Sequence, residues 1–233
     1  MLKILSRKTL VTCCLTAAVA GGVVTTPLAF AQNQPAERGH KAGDKQAADG
    51  KQMSVEQCTA EWKAGPQKAA KMMTEKYGEP SGMTPTRLIW TDKGPFKEII
   101  LINEEIQHDF PVPHKDYLQH VVEFKVPTDK IGELAEFDGS IIVDRTRGTI
   151  GARCDIEAHN LLALNLAYDV INGKKNAEEA RKEFGEIVKA EMAGKKHDYL
   201  SKLTFQPMPK AGDADTALMK GKPGEAQPAA AQE

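Results

Sequence analysis

The side chain in this sequence with the greatest chemical reactivity is the Cys154 thiol. Cys154 precedes a predicted buried helix, whose N-terminal backbone amides lower the pKa of a nearby thiol, and His159 follows five residues later. However, Asp155 places a negative charge beside the thiol, and residues five apart do not share a helix face. A structural or disulfide-bonded Cys154 is therefore favoured over a nucleophile.

Histidines around a proline-containing segment form a second group. His108, His114 and His120 recur every six residues, with Asp109 and Asp116 among them. Imidazole and carboxylate groups suit copper and zinc, which an exported protein meets. The spacing matches no established metal site, and no single helix or strand would hold the three histidines together. A solvated loop is favoured, and copper or zinc binding through this region is kept as an alternative function.

Arginines around a predicted hairpin form a third group. Arg145, Arg147 and Arg153 could together hold a carboxylate or a phosphate, although acidic residues nearby can also pair with them. Asn160 lies in an otherwise apolar helix, where a buried amide must be hydrogen-bonded. It either ties the helix to nearby backbone, which we favour, or faces a ligand pocket. An enzyme or binder for a small anionic ligand near Cys154 and these arginines is a second alternative function.

The N-terminal residues indicate export. A positively charged start is followed by an uncharged run over residues 9–26 and by Ala-Phe-Ala at residues 29–31, a pattern that signal peptidase recognises. We therefore predict a signal peptide over residues 1–31, cleavage near Ala31-Gln32, and a periplasmic or secreted protein. Retention of this segment as a membrane anchor is the alternative.

The net charge limits the kinds of partner that are expected, and the composition indicates where the folded domain begins and ends. Loss of residues 1–31 reduces the 31 Lys and Arg to 28, against 32 Asp and Glu, so the net charge becomes −4. This mild acidity argues against nucleic acid or an anionic membrane as the main partner, and we expect no membrane span in the mature chain.

Residues 32–52 and 207–233 are poor in large apolar side chains. We therefore expect a disordered linker and a disordered tail around one domain over residues 53–206.

Two cysteines stay in the mature chain. They are Cys58 and Cys154, since the other two lie within the predicted signal peptide. An even pair in an oxidising compartment is a candidate disulfide. Closing a loop of roughly 100 residues would stabilise the fold by about 4–5 kcal/mol. Two separate buried thiols are the alternative.

Hydrophobic periodicity predicts an α+β fold. The predicted order is two helices, two strands, a long loop over residues 103–116, a strand, a short helix, a hairpin and two long helices. Ser54 with Gln57, and Asn176 with Glu179, fit capping boxes at two helix starts. Hairpins without strand–helix–strand crossovers favour an antiparallel sheet of about five strands, as two hairpins plus one strand, covered by long helices.

Two stretches of the chain carry a further indication. The first contains KYGEP at residues 76–80, LIW at 88–90 and GPFK at 94–97. The second, over residues 154–181, contains CD, EA, NLLALNLA, GKK and EAR. Together these motifs resemble a family of small exported bacterial proteins of unknown function, and the resemblance covers about residues 72–205. It implies no activity, ligand or catalytic residue.

The possible functions are narrowed mainly by the sequence motifs that the chain lacks. The sequence contains no Gly-rich phosphate loop, dinucleotide fingerprint or nucleophile-elbow motif, so we predict no cofactor. A non-catalytic envelope module that binds an unknown envelope protein or a small ligand is favoured over an enzyme.

Overall fold

An antiparallel sheet of six strands forms the centre of the structure, a computed structural model that describes residues 53–219. In chain order the strands are β1 (Gly82–Thr84), β2 (Arg87–Lys93), β3 (Phe96–His108), β4 (His114–Glu123), β5 (Ile141–Asp144) and β6 (Thr149–Cys154). Their spatial order is β1-β2-β3-β4-β6-β5. The predicted α+β class is confirmed, with one strand more than expected. The predicted signal peptide and linker lie outside the described residues.

Helices pack against this sheet and against one another. They are α1 (Val55–Thr59), α2 (Ala64–Tyr77), α3 (Ile131–Phe137), α4 (Glu157–Ile171) and α5 (Ala177–Met192), with short 3₁₀ turns at Thr128–Lys130 and Asp198–Leu200. Helix α2 contacts β3, and α4 lies between β6 and α5. Both predicted capping boxes are present, at the starts of α1 and α5. Within the described part of the chain, no helix combines the length and apolar character that crossing a bilayer requires.

One face of the sheet carries the core. Alternate residues of a strand share a face, and the paired residues on this face are buried: Leu88, Trp90, Ile99, Leu101, Leu118, Val122, Ile150 and Ala152. His114 and Asp116 precede Leu118 by four and two positions, so they continue the same face of β4. Cys154 is paired with Leu118 and extends this face on β6. The apolar core is therefore continued by polar side chains at one end of the sheet.

The prediction of a long loop over residues 103–116 is wrong. Strand β3 continues to His108 and β4 begins at His114, and these two residues are paired directly. The register shifts between Leu101 and Ile106, which breaks the alternation that a sequence pattern would show. The two strands form one long hairpin, and its polar end carries both histidines.

The candidate disulfide between Cys58 and Cys154 is not formed: both thiols are free, which is the alternative of two separate thiols, although only Cys154 is buried. Cys58 donates a hydrogen bond at 3.3 Å to the carbonyl of Thr84, the last residue of β1, whereas Cys154 ends β6. One row of paired residues crosses the sheet between these places: Met83, Leu88, Leu101, Leu118 and Cys154. Four inter-strand spacings amount to about 19 Å, and a disulfide needs Cα atoms within about 7 Å.

The chain still contacts the domain beyond Gln206, where the domain was predicted to end. The Met208 N–H donates a hydrogen bond to the Glu123 carbonyl at 2.7 Å. Ala211 is buried against Gly148 in the β5–β6 turn, where φ is +65° and a Cβ would lie 2.2 Å from the Ala211 carbonyl carbon. Only glycine leaves room for this segment at the turn.

Candidate metal centre

A cluster of imidazole, thiol and carboxylate groups lies where the β3–β4 hairpin meets the end of β6. His108, His114 and Asp116 come from the hairpin, and their donor atoms lie within 4.8 Å of one another. The donor atoms of His114, Cys154 and Asp155 satisfy the same limit. Because both groups contain His114, they form one continuous cluster.

His114 is oriented by the backbone. Its Nδ1 lies 2.9 Å from the Val112 carbonyl oxygen, so this nitrogen donates its N–H and the neutral ring keeps a lone pair on Nε2. That Nε2 lies 3.1 Å from Asp116 Oδ1 and 3.2 Å from Cys154 Sγ. Asp116 raises the pKa of His114, because its carboxylate favours the protonated ring. The position between these groups therefore attracts positive charge.

His108 has a similar arrangement. Its Nε2 lies 3.5 Å from Asp138 Oδ1, and its Nδ1 lies 3.3 Å from Asp116 Oδ2. Asp116 is only 2% exposed, and its two oxygens thus face one histidine each. His108 Nδ1 is buried and makes no hydrogen bond among the described residues. Buried polar atoms are normally hydrogen-bonded, so this nitrogen is a candidate ligand for a cation.

His159 completes the pattern from α4. Its Nε2 lies 2.9 Å from Glu191 Oε2 on α5, while its Nδ1 lies 3.9 Å from Cys154 Sγ and 3.8 Å from Asp155 Oδ1. Burial by itself lowers the pKa of His159, but Asp155 and Glu191 outweigh this effect and leave the pKa raised. His159 thus adjoins the cluster, and we count it with the cluster from here on. His108, His114 and His159 each have one nitrogen toward the other cluster residues and the second near an oxygen acceptor, as metal-ligating histidines do.

The Cys154 thiol is not activated as a nucleophile. Burial raises its pKa, and the negative charge of Asp155 raises it further. A reactive cysteine needs the opposite environment, one that stabilises the thiolate. The space between His108, Cys154 and His159 also admits no molecule of the size of water. A metal ion bonded directly to these atoms would instead stabilise the thiolate.

Three pairs of neighbouring donor atoms lie at separations close to those within a coordination sphere. With bonds of about 2.0–2.3 Å, the ligand atoms of a tetrahedral zinc site lie about 3.3–3.8 Å apart. The observed values are 3.1 Å for His114 Nε2 to Asp116 Oδ1, 3.2 Å for His114 Nε2 to Cys154 Sγ, and 3.4 Å for Cys154 Sγ to Asp155 Oδ1. Each of these neighbouring pairs is therefore within a few tenths of an ångström of the separation that two ligands of one ion would have.

His120, the third histidine predicted as a metal ligand, is not part of this cluster. Its ring is fully buried against Phe96, and burial lowers its pKa to about 3. Its Nδ1 accepts a hydrogen bond from Asn160 Nδ2 at 2.9 Å, and its Nε2 lies 3.8 Å from Glu157 Oε2. Asn160 also donates to the Leu118 carbonyl at 2.8 Å, so it ties α4 to β4 instead of facing a pocket.

The three arginines predicted to hold an anion do not converge. Arg145 and Arg147 lie at the β5–β6 turn, and Arg153 lies near the other end of β6. A separation of six strand residues amounts to about 20 Å. Each arginine instead lies beside carboxylates: Arg145 beside Asp213 and Asp215, Arg147 beside Glu98, and Arg153 beside Asp116. The structure therefore does not assemble the predicted anion site.

The sequence alone does not predict that several of these residues lie at the cluster. The rule that positions five apart do not share a helix face misleads for His159, because Cys154 lies on β6 before α4 begins. Asp138 and Glu191 carry no local signal, since they come from distant parts of the chain. The His-x-Asp alternation at residues 114 and 116 is the one signal available, because these positions share a strand face.

A scan against protein-family models and searches of curated proteins and of solved structures find no match to this chain. The resemblance to a family of small exported proteins stays a prediction. Any functional assignment therefore depends on the geometry of the chain itself.

Proposed function

We propose that this protein is an exported, non-catalytic binding protein whose ligand is a transition-metal ion held by the cluster. The supporting observation is the common orientation of His108, His114 and His159, each with one nitrogen directed inward and the other beside an oxygen acceptor. Imidazole, thiolate and carboxylate together suit zinc and copper. Export is inferred from the pattern of residues 1–31.

The charges around the cluster favour a cation. Four carboxylates contact its histidines, from Asp116, Asp138, Asp155 and Glu191, while the Arg153 guanidinium lies 4.0 Å from Asp116. A divalent ion would compensate this excess of negative charge and stabilise the deprotonated thiol. The surroundings that make the thiol a poor nucleophile therefore suit it as a metal ligand.

The closed packing of the cluster favours binding over catalysis. Catalytic zinc sites keep an open position for water or substrate. No molecule of the size of water fits beside Cys154 and His159 here. We therefore favour sequestration, carriage or a structural role for the ion.

Metal titration tests the proposal. Purified, chelator-treated protein should bind about one Zn²⁺ per chain by calorimetry, and His114→Gln should weaken binding at least about 10-fold. His197→Gln is the matched control, because His197 is exposed and caps the 3₁₀ turn at residues 198–200 outside the cluster. In NMR spectra, Zn²⁺ should shift the ring signals of His114 but not of His120. Absence of stoichiometric binding to the wild type, or equal affinity in both variants, would overturn the proposal.

Export is tested separately. The native protein should be recovered from the periplasm or medium with a mass that begins at Gln32. A cytosolic protein that retains Met1 would show that the predicted location is wrong.

A further inference from the structure

The cluster contains two donor sets that share one residue, His114. One set is His108, His114 and Asp116, and the other is His114, Cys154 and Asp155. We propose that these sets are alternative sites, occupied by one ion at a time, and that the softness of the metal decides which is used. Thiophilic ions such as Cd²⁺ and Zn²⁺ bind the set containing the thiol, and harder ions such as Mn²⁺ bind the other. This inference rests on the proposed metal-binding function.

The shared His114 makes the two sets mutually exclusive. Its Nδ1 is held by the Val112 carbonyl at 2.9 Å, so only Nε2 is free to bind a metal. This Nε2 lies at nearly equal distances from Asp116 Oδ1 and Cys154 Sγ, at 3.1 and 3.2 Å. One lone pair bonds one ion, so occupation of either set withdraws His114 from the other.

Each set is compact by itself. The donor atoms of His108, His114 and Asp116 lie within 4.8 Å of one another, and so do those of His114, Cys154 and Asp155. An ion with bonds of about 2.0–2.3 Å cannot bind two donors that lie more than about 4.6 Å apart, so it takes its ligands from neighbouring donors.

The donors on the two sides differ in chemical character. Thiolate is the soft ligand that selects zinc and similar ions, and His159 Nδ1 lies 3.9 Å from Cys154 Sγ, close enough to become a fourth ligand. The other side offers two imidazoles and one carboxylate, a donor set that suits Fe²⁺ and Mn²⁺. Asp138, beside His108 at 3.5 Å, orients that ring as an outer-shell carboxylate.

The choice of side has a mechanical consequence. His108, His114 and Asp116 all belong to the β3–β4 hairpin, so a hard ion fastens only the two strands of that hairpin. A soft ion bonded to His114 and Cys154 joins the hairpin to β6 and to the segment that leads into α4. The identity of the metal would thus determine whether the hairpin end is fixed to the rest of the domain.

Two variants separate the sets. Cys154→Ser should weaken Cd²⁺ binding at least about 10-fold and abolish the thiolate-to-metal absorption, while Mn²⁺ affinity stays within about 3-fold of wild type. His108→Gln should show the reverse pattern. In the wild type, one equivalent of Cd²⁺ should release bound Mn²⁺, seen as recovery of the free-ion EPR signal. His197→Gln, with an exposed histidine, should match the wild type for both ions.

The outcomes distinguish the two proposals. If the wild type binds neither Cd²⁺ nor Mn²⁺, the proposed function itself fails. If both ions bind but each variant weakens both equally, there is a single merged site, and only the inference of alternative sets fails. Simultaneous binding of both ions would also overturn this inference. Circular dichroism of each variant verifies that a loss of binding is not a loss of folding.

Discussion

Acid should destabilise this protein partly through His120, which the fold holds as a neutral imidazole. Burial in the core, together with the charge of Lys76, lowers its pKa from 6.5 to about 3. Its Nδ1 accepts a hydrogen bond from Asn160, so the single ring proton lies on Nε2, 3.8 Å from Glu157 Oε2. The ring in the unfolded chain has no such surroundings and titrates normally.

The size of the effect follows from the two pKa values. Between them only the unfolded chain takes up a proton at this residue, so the free energy of unfolding falls as the pH falls. The contribution is fully present above pH about 6.5 and decreases by about 1.4 kcal/mol per pH unit below it. From pH 7 to pH 5 the loss is about 2 kcal/mol. His114 and His159, whose pKa values are raised, act in the opposite direction.

A variant isolates the contribution of His120. In His120→Asn, the Asn side-chain oxygen keeps an acceptor for Asn160 and does not titrate. Urea unfolding of both proteins with chelator at pH 7, 6 and 5 should show a less stable variant at pH 7, because the smaller side chain leaves a cavity. That difference should shrink by about 2 kcal/mol at pH 5. A constant difference, or NMR signals of His120 that titrate near pH 6.5, would refute the reasoning.

Three further substitutions test the packing. Gly148→Ala should lower the free energy of unfolding by at least about 3 kcal/mol in urea titrations, because φ is +65° and the new Cβ would lie 2.2 Å from the Ala211 carbonyl carbon. Asn165→Ala should cost about 2–4 kcal/mol by the same assay, since its buried amide bonds the backbone of residues 199–204. Limited proteolysis should then cleave near residue 200. Asn176→Ala should cost about 1 kcal/mol, measured by thermal denaturation, because α5 loses its N-cap.

Each substitution has a matched control. Gly173→Ala also places a side chain at positive φ, +66°, but nothing lies within 4 Å of the new Cβ, so it should cost only about 1–2 kcal/mol. If Gly148→Ala lowered the free energy of unfolding no more than Gly173→Ala does, the close packing of Ala211 against Gly148 would be contradicted. Asn172→Ala removes an exposed amide that bonds within its own helix and should cost less than about 1 kcal/mol. Lys182→Ala, on exposed α5 surface, should leave the melting temperature nearly unchanged.

The sequence by itself determined the features that depend on neighbours along the chain. The capping boxes that begin α1 and α5 each join residues three positions apart, so a local pattern was sufficient to find them. The antiparallel α+β class followed from hairpins without crossovers. The same local reasoning missed the end of the β3–β4 hairpin, because polar residues and a register shift interrupt its alternation.

Only the tertiary structure decided which reactive side chains meet. Strand register places His114 beside Cys154, forty residues later. It also puts four strand spacings between Cys154 and β1, the strand that Cys58 contacts. Helix packing then brings Glu191 of α5 to His159 of α4. Register and packing join residues that are distant in sequence, and they are set by the burial of the whole apolar face, so no local spacing could reveal them.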